Sequence, residues 1–409
     1  MTAEPRKEYF PAIDGLRLLA SVNIVFLHLQ SSYAFEYAAS WGWIMPVVTA
    51  PAFAAGIFFV FAGFLFASKF SDPERRLPVI PFMFSRISRL YRCHVVCTLL
   101  MFVVLLFKLS GYHDMPSGLG DIWNRVVTGY GNMDHPIRSL FLHITLLWAF
   151  IPEMGMKLNE PSWSLSAFFL CYALTPWVAR HLLLIKKPKT LWFLFFACFV
   201  PGLLWGIVFA NTGNLGVLPV LGNFGDYDTR YRFFHMFPFV RMFEYFWGMV
   251  LFRLYKEGQF DCIKKDYLNG FIQAGLLLLL YVSVFTLHSK SVYWNFICHH
   301  SVAVLIYGLL VVSLATTKGW LAWIFCIKPI RAVGKASFYP YLLHLPFISI
   351  FWAFTDMNNW KATVVFLVFL YTVSTLYQKH KDKVRAKAKA AKAALKAKAA
   401  ADEAAKAAG

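Results

Sequence analysis

The strongest constraint on the fold of this chain is a series of apolar runs, many of them close to the length that crosses a lipid bilayer. A transmembrane helix needs about 20 consecutive, mainly apolar residues, and the runs at 190–211 and 268–288 have that length and composition. Hydrophobic residues make up 59% of the 409 residues, and charged residues make up only 15%, too few to cover a soluble protein of this size. The sequence therefore predicts an all-α, polytopic bundle of transmembrane helices.

The number and orientation of the spans follow from the basic loops, because Lys and Arg are retained on the cytoplasmic side. One apolar stretch, 137–152, is short and is interrupted by His143 and Pro152. If it does not cross the membrane, every strongly basic loop falls on one side; if it crosses, the later basic loops change sides. We therefore predict ten spans, both termini in the cytoplasm, and a segment 137–152 that lies in or dips into the outer face. The predicted spans are 16–34, 44–68, 92–110, 162–184, 190–211, 236–255, 268–288, 297–317, 337–355 and 360–378.

The positive charge of the chain lies in short loops and at its end, so it indicates orientation and not nucleic-acid binding. The net charge is +19, of which residues 379–409 supply ten Lys or Arg against three carboxylates. We therefore divide the chain into a transmembrane domain, 1–378, and a basic Ala/Lys-rich cytoplasmic tail, 379–409. The tail is predicted to be a solvated helix or disordered; the alternative is attraction to anionic lipid of the inner leaflet. The seven scattered cysteines indicate neither a disulfide framework nor a metal site.

The first span carries a stripe of polar residues. Arg17 and His28 are eleven residues apart, about three helical turns, so they share one face and lie about 16 Å apart along the axis. Asp14 precedes Arg17 by three residues and lies on nearly the same side. Ionisable groups inside a membrane mark function by default, and histidine is the side chain best suited to accept a proton near neutral pH. We predict a functional role for His28, although a lone buried histidine is often structural.

Paired arginines stand at the cytoplasmic mouth of the third span. Arg86 and Arg89 lie on adjacent helical turns. Because a guanidinium group binds phosphate in a bidentate manner, this pair predicts a site for a polyphosphorylated cytosolic cofactor. The alternative is that these arginines only anchor the span by the positive-inside rule.

Hydrogen-bonding residues also cluster at the fourth and ninth spans. The segment NEPSWSLS opens span four and brings Trp163, Ser164 and Ser166 to the outer interface, where Trp163 could equally be an interfacial belt aromatic. Span nine carries Tyr339 and His344 within its first two turns. We assign these residues to acceptor binding or to structure.

The sixth span contains a possible ion pair. Arg241 and Glu244 are three residues apart, and pairing at this spacing lowers the cost of burying both charges. The sequence leaves two interpretations open, a structural ion pair and a contact with the substrate.

In this order, these segments resemble the acyltransferase-3 family of integral membrane O-acyltransferases, and they cover nearly the whole chain. The most specific element is the Arg-x10-His stripe of the first helix, matched by Arg17 and His28. Residues 57–66, IFFVFAGFLF, resemble the family's Phe-Phe-Val-x-Ser-Gly-Phe-Leu segment, with Ala62 where Ser is usual. The segments RISRLY, PSWSLS, FEYFWGM and SFYPYLLHLP match the later elements.

The resemblance implies transfer of an acyl group, acetyl in most members, from a coenzyme A thioester without a metal. The acceptors are mostly sugar hydroxyls of surface or secreted glycans, lipid-linked or free, on the far side of a bacterial inner membrane. By the same resemblance Arg86 and Arg89 would hold donor phosphates, and Arg17 would help to position the donor. His28 would act as general base or as acyl relay.

Two residues depart from the family pattern. Phe168 stands where Glu is common after the Trp-Ser-Leu-Ser element, so a carboxylate is missing or is supplied by Glu160 or Glu244. Arg92 stands where Pro is common after the paired arginines. We see no fused hydrolase-like domain of the kind that some relatives carry. We therefore expect the protein to complete the transfer alone or to hand the acyl group to a separate extracytoplasmic partner.

Two other classes of function remain open from the sequence. The same intramembrane Arg, His and Glu residues could form the pathway of a transporter, although no internal repeat or paired broken helices are found. A non-catalytic subunit that presents a lipid-linked glycan is the third possibility. In that case the loss of His28 would not abolish acylation.

Overall fold

The computed structural model describes residues 8–32, 51–70, 77–106, 118–128, 135–151, 158–215, 227–287, 296–297, 301–355 and 360–408. Within these ranges every regular element is helical. The α-helices are α1 Pro11–Ser32, α2 Pro51–Ala67, α3 Val79–Leu106, α4 Leu119–Thr128, α5 Pro136–Ile144, α6 Trp163–Leu184, α7 Pro188–Leu215, α8 Tyr227–Met236, α9 Pro238–Lys256, α10 Asp266–Leu287, α11 Val302–Ala315, α12 Trp320–Phe325, α13 Lys328–Ala336, α14 Phe338–Phe354 and α15 Trp360–Ala408.

The predicted spans correspond one by one to helices of this bundle. Each of the ten overlaps one helix: α1, α2, α3, α6, α7, α9, α10, α11, α14 or α15. Five stretches of the described chain are long and apolar enough to cross a membrane: Pro11–Leu29, Val79–Leu106, Glu160–Leu184, Pro188–Asn211 and Trp360–Leu395. The all-helical fold is confirmed, while the count of ten spans and the cytoplasmic termini stay predictions.

The centre of the bundle is the crossing of α2 and α9, and two glycines make this crossing possible. A Cβ atom on Gly63 would lie 1.8 Å from the carbonyl oxygen of Tyr245, and a Cβ on Gly248 would lie 2.1 Å from that of Val60. Small residues let two helix backbones approach closely where no solvent drives them together. Because α2 also packs against α1 and α11, this crossing sets the position of the first helix in the core.

Helix α1 is held on its other side by α13. A Cβ atom on Gly334 would lie 1.8 Å from the carbonyl oxygen of Asp14, so the two backbones are in contact there. The Ser21 hydroxyl donates to the carbonyl of Ser337 at 3.0 Å, at the start of α14. These contacts bring Gly334 and Ser337 against the polar stripe of α1, which lies more than 300 residues earlier in the sequence.

The ambiguous segment 137–152 enters the bundle beside α3. The Tyr91 hydroxyl donates to the carbonyl of Ile144 at 2.9 Å, whereas Leu140 packs in a cluster with Phe102 and Leu106. Residues 91 and 106 are about 22 Å apart along α3. Helix α5 therefore packs along α3, while the two positions in the membrane that the sequence left open for this segment stay predictions. Residues 152–157, including Pro152, lie outside the described residues.

Candidate active site

A cavity of about 280 Å³ opens at the end of the bundle where α1 and α3 begin and α2 ends. Five segments of the chain contribute cations to it, and all of its lining residues belong to the described part of the chain. None of these lining residues is a carboxylate. A concave surface lined by charge of one sign concentrates ligands of the opposite sign. The six cationic residues are Arg17, Lys69, Arg86, Arg89, Lys335 and Arg385.

Arg17 is the member of this cavity that comes from the polar stripe of α1. Its Nη1 lies 3.3 Å from Asp14 Oδ1, and its guanidinium lies 5.2 Å from the centroid of the Phe61 ring. The other carboxylate oxygen of Asp14 accepts a hydrogen bond from Tyr9 at 2.6 Å. Asp14 therefore orients Arg17 toward the cavity and does not itself line it, as the three-residue spacing predicts.

The paired arginines of α3 line the same cavity. The Arg86 guanidinium lies 5.3 Å from the Phe66 ring and 5.1 Å from the Phe82 ring. Its Nε is buried and has no hydrogen-bond partner among the described residues. Arg89 is exposed at the rim. The structure thus brings Arg17, Arg86 and Arg89 together, while their contact with a donor stays a prediction.

Two aromatic residues complete the wall, and one of them stands where this sequence differs from the family pattern. Phe168 lines the cavity in place of the common Glu and stacks between Phe59, at 4.5 Å between ring centroids, and Tyr172, at 5.6 Å. Tyr339, which we grouped with the acceptor or structural residues, also lines this cavity. The cavity therefore combines cationic groups with flat apolar surfaces.

His28 lies further along α1, at the centre of a second cluster. It is buried, and its ring centroid is 4.9 Å from that of His344 on α14. Its Nδ1 lies 3.9 Å from Glu160 Oε2. Of the two carboxylates considered in place of the missing Glu, Glu160 lies beside His28, whereas Glu244 is paired with Arg241.

The tautomer of His344 follows from its hydrogen bond. Its Nδ1 lies 3.0 Å from the carbonyl oxygen of Pro340, which can only accept, so Nδ1 carries the proton. The opposite nitrogen, Nε2, is buried and has no partner among the described residues. In the neutral ring this Nε2 carries an unprotonated lone pair and can accept a proton. His28, His344 and Glu160 therefore form a cluster of groups that can hold and pass protons.

The turn that carries Glu160 is fixed to α14 by hydrogen bonds. The side-chain nitrogen of Asn159 donates to the carbonyl of Leu342 at 3.2 Å, and the Tyr341 hydroxyl donates to the carbonyl of Pro161 at 2.8 Å. Ser164 Oγ donates to the same Pro161 carbonyl at 3.1 Å. Ser164 is thus a structural member of this turn, placed one helical turn from Glu160.

Trp163 is a core residue and not an interfacial belt aromatic, which corrects that interpretation. It is buried inside the bundle, 5.8 Å from the Phe59 ring and 5.3 Å from the His235 ring. Ser166, one turn along α6, is fully buried as well. The apparent belt position arose because residue 163 begins a helix at one end of a predicted span, while tertiary packing covers that end.

The Arg241–Glu244 pair forms as an ion pair inside the bundle. Arg241 Nη1 lies 2.8 Å from Glu244 Oε1, and Arg241 Nε donates to the carbonyl of His235 at 2.6 Å. The guanidinium also lies 5.2 Å from the Trp163 ring. Both side chains are buried and neither lines the cationic cavity, so the geometry corresponds to the structural interpretation of the pair.

The sequence analysis missed three cations of the cavity. Lys69 and Lys335 stand in or beside basic loops that were used only to orient the spans. Arg385 belongs to the tail, where Gln378, Lys381 and Arg385 recur at intervals of three and four residues and so share one helical face. That spacing indicates a shared helical face, but only the tertiary contacts place this face at the cavity.

Comparisons with known proteins identify the family. The acyltransferase-3 sequence model, described as an acyltransferase domain, matches residues 10–377. The acyltransferase MdmB of Streptomyces mycarofaciens is 27% identical over 188 residues, which are 46% of this chain and 44% of that protein. The match therefore spans less than half of the length of this relative. No solved structure matches the chain significantly.

Proposed function

The chain belongs to the acyltransferase-3 family, and from this premise we propose that it is an O-acyltransferase of the bacterial inner membrane. The donor would be cytosolic acyl-CoA, with acetyl-CoA as the first candidate. The acceptor would be a hydroxyl group of a surface or secreted glycan, lipid-linked or free. The observation that carries the proposal is that Arg17, on the same helix as His28, lines a cavity of six cations.

The cationic cavity suits the phosphate groups of the donor. Guanidinium groups bind phosphate oxygens in a bidentate manner, and the cavity lining contains no carboxylate that would neutralise them. The aromatic wall formed by Phe168, Phe61 and Tyr172 offers apolar surface to the rest of the nucleotide or to its pantetheine arm. Arg17 and His28 are about 16 Å apart along α1, so an extended arm can reach from one cluster toward the other.

The second cluster suits the chemistry of acyl transfer. His28 would take the proton from the acceptor hydroxyl as that oxygen attacks the thioester carbon, and the proton would finally reach the departing sulfur as the C–S bond breaks. Glu160, at 3.9 Å, would stabilise the imidazolium that forms in between. A positioned general base contributes about 10²–10⁴-fold to the rate.

The proposal is tested in sealed vesicles from cells that express wild type or His28→Ala at equal levels. Labelled acetyl-CoA is supplied on the cytoplasmic face, and ester label is recovered from glycan. His181→Ala is the matched control, because it removes the same side chain from an exposed position of α6 where His181 contacts Trp177. We expect His28→Ala to lose the label and His181→Ala to keep it.

If the His28→Ala vesicles transfer label at the wild-type level, the assigned role of His28 is contradicted. That result would favour the interpretation of the chain as a non-catalytic subunit. If wild type gives no label from acetyl-CoA, the same assay with other acyl-CoA donors separates a different acyl specificity from a different function.

A further inference from the structure

The C-terminal helix returns to the cationic cavity. Helix α15 runs without interruption past the last predicted span, which ends at residue 378, and it contributes Gln378 and, two turns later, Arg385 to the cavity lining. Both residues lie beyond the region that matches the family, which ends at residue 377. Arg385 therefore brings the tail of this chain into the cavity wall, outside the matched domain.

The tail helix is fixed against the paired arginines by Lys381. Its Nζ donates to the carbonyl oxygen of Arg89 at 2.8 Å and lies 5.5 Å from the rings of both Tyr339 and Tyr377. The two tyrosine rings also contact each other edge to face at 4.9 Å. Because Lys381 and Arg385 are one helical turn apart, this anchor holds Arg385 at the rim beside Arg89.

The cations of the cavity differ in depth. The Arg17 side chain is 30% exposed, and the Nε of Arg86 is buried, whereas Arg89 and Arg385 are exposed at the rim. The charged partner of Arg385 is Asp382 on the preceding turn, 4.0 Å away and itself exposed. An exposed pair at that distance is weak, so the guanidinium of Arg385 remains free to bind an anion.

The phosphate groups of acyl-CoA follow one another along the molecule in an order that matches the cations from the interior of the cavity to its rim. The thioester stands at one end, the diphosphate follows the pantetheine arm, and a phosphate monoester on the ribose, the 3′-phosphate, stands furthest from the thioester. If the thioester points along α1 toward His28, the diphosphate meets Arg17 and Arg86, and the 3′-phosphate comes to the rim.

We infer that Arg385 binds the 3′-phosphate of the donor, so that the C-terminal helix makes the site selective for CoA over 3′-dephospho-CoA. This inference rests on the proposed function, since it assumes that the cavity holds a CoA thioester. It gives the docked part of the tail a role in donor recognition, in place of the solvated or lipid-attracted tail that the sequence suggested.

The test uses the full-length protein in nanodiscs of phosphatidylcholine, a zwitterionic lipid that offers no anionic headgroup to compete. The dissociation constants of CoA and of 3′-dephospho-CoA are measured by calorimetry for wild type, Arg385→Ala and Lys387→Ala. Lys387 is the matched control, because it is an exposed cation two residues further along the same helix and does not line the cavity.

We expect wild type to prefer CoA by about ten-fold or more, the factor that one charge-assisted hydrogen bond contributes. In Arg385→Ala the affinity for CoA should fall by about the same factor, while the affinity for 3′-dephospho-CoA stays unchanged and shows that the cavity is intact. Arg385→Lys should retain part of the preference, and Lys387→Ala should retain all of it.

An unchanged preference in Arg385→Ala would overturn the inference and leave the proposed function standing. An equal fall in the affinity for CoA and for 3′-dephospho-CoA in both Arg385→Ala and Arg385→Gln would also overturn it. Arg385 would then only maintain the structure of the cavity wall. If wild type binds neither nucleotide, the proposed acyl-CoA dependence fails together with the inference.

Discussion

Two arginines of this protein lie against aromatic rings but differ in their partners. Arg241 lies 5.2 Å from the Trp163 ring, and Arg86 lies 5.1 Å from the Phe82 ring, so each guanidinium rests against an aromatic surface. Arg241 is satisfied by the carboxylate of Glu244 at 2.8 Å. Arg86 faces a cavity whose described lining contains further cations and no carboxylate.

This difference separates an arginine whose charge is paired inside the protein from one that, under the proposed function, would bind the donor. A buried ion pair compensates its own desolvation within the protein, so removing one partner leaves an uncompensated charge in the core. A group of unneutralised cations is stable only where water or a bound anion supplies the compensation. The comparison predicts opposite responses of stability and of donor binding at the two sites.

The largest effect is expected from Arg241→Ala. The change leaves Glu244 buried without its cation, and breaking a buried pair in this way costs about 3–5 kcal/mol. Unfolding of the purified protein in detergent, followed by helical circular dichroism, measures the loss. The double variant Arg241→Met, Glu244→Gln should recover most of the stability, since neither charge then remains. Equal stability of Arg241→Ala and wild type would contradict the structural role of the pair.

Arg86→Ala should show the opposite pattern. Removing a cation from among like charges should leave the unfolding transition close to that of wild type. Donor affinity should fall by about 10- to 150-fold, because a hydrogen bond to a charged group contributes about 1.5–3 kcal/mol. Calorimetric titration with acetyl-CoA measures the affinity on the same preparation. If Arg86→Ala loses stability but binds acetyl-CoA with the wild-type affinity, Arg86 is a structural residue like Arg241.

Salt should sharpen the contrast between the two sites. The Debye length shortens from about 10 Å at 0.1 M to about 3 Å at 1 M, so charges open to solvent are screened while buried pairs are not. Donor affinity of wild type should therefore decrease several-fold over this range. The difference in unfolding free energy between wild type and Arg241→Ala should stay constant. Salt-independent donor binding would show that the cavity does not recognise phosphate through its cations.

The smallest effect is expected from Lys69→Ala. Lys69 is exposed at the rim, with its Nζ 4.5 Å from the Phe66 ring. An exposed ionic contact is worth about 0.2–1 kcal/mol, so donor affinity should fall by no more than about five-fold. A loss as large as that of Arg86→Ala, in the same calorimetric titration, would mean that the donor phosphates sit nearer the rim than Arg86.

The helices and part of the candidate site could be predicted from local sequence. The eleven-residue interval between Arg17 and His28 places both on one face of α1 whatever surrounds the helix. The same holds for Arg86 and Arg89 on adjacent turns of α3. Spacing could not reveal Glu160 beside His28 or Arg385 at the cavity rim, because those positions depend on contacts between distant segments.

The sequence by itself determined that this protein resides in lipid and that its apolar segments are helices. In apolar runs of bilayer length, the backbone N–H and C=O groups find no water and must bond to each other. The tertiary structure alone decided which helix ends meet. Gly63 and Gly248 let α2 and α9 approach closely, and Gly334 does the same for α1 and α13, because a Cβ atom at each glycine would lie only 1.8 to 2.1 Å from a carbonyl oxygen. That packing set Glu160 beside His28 and placed cations from five segments around one cavity.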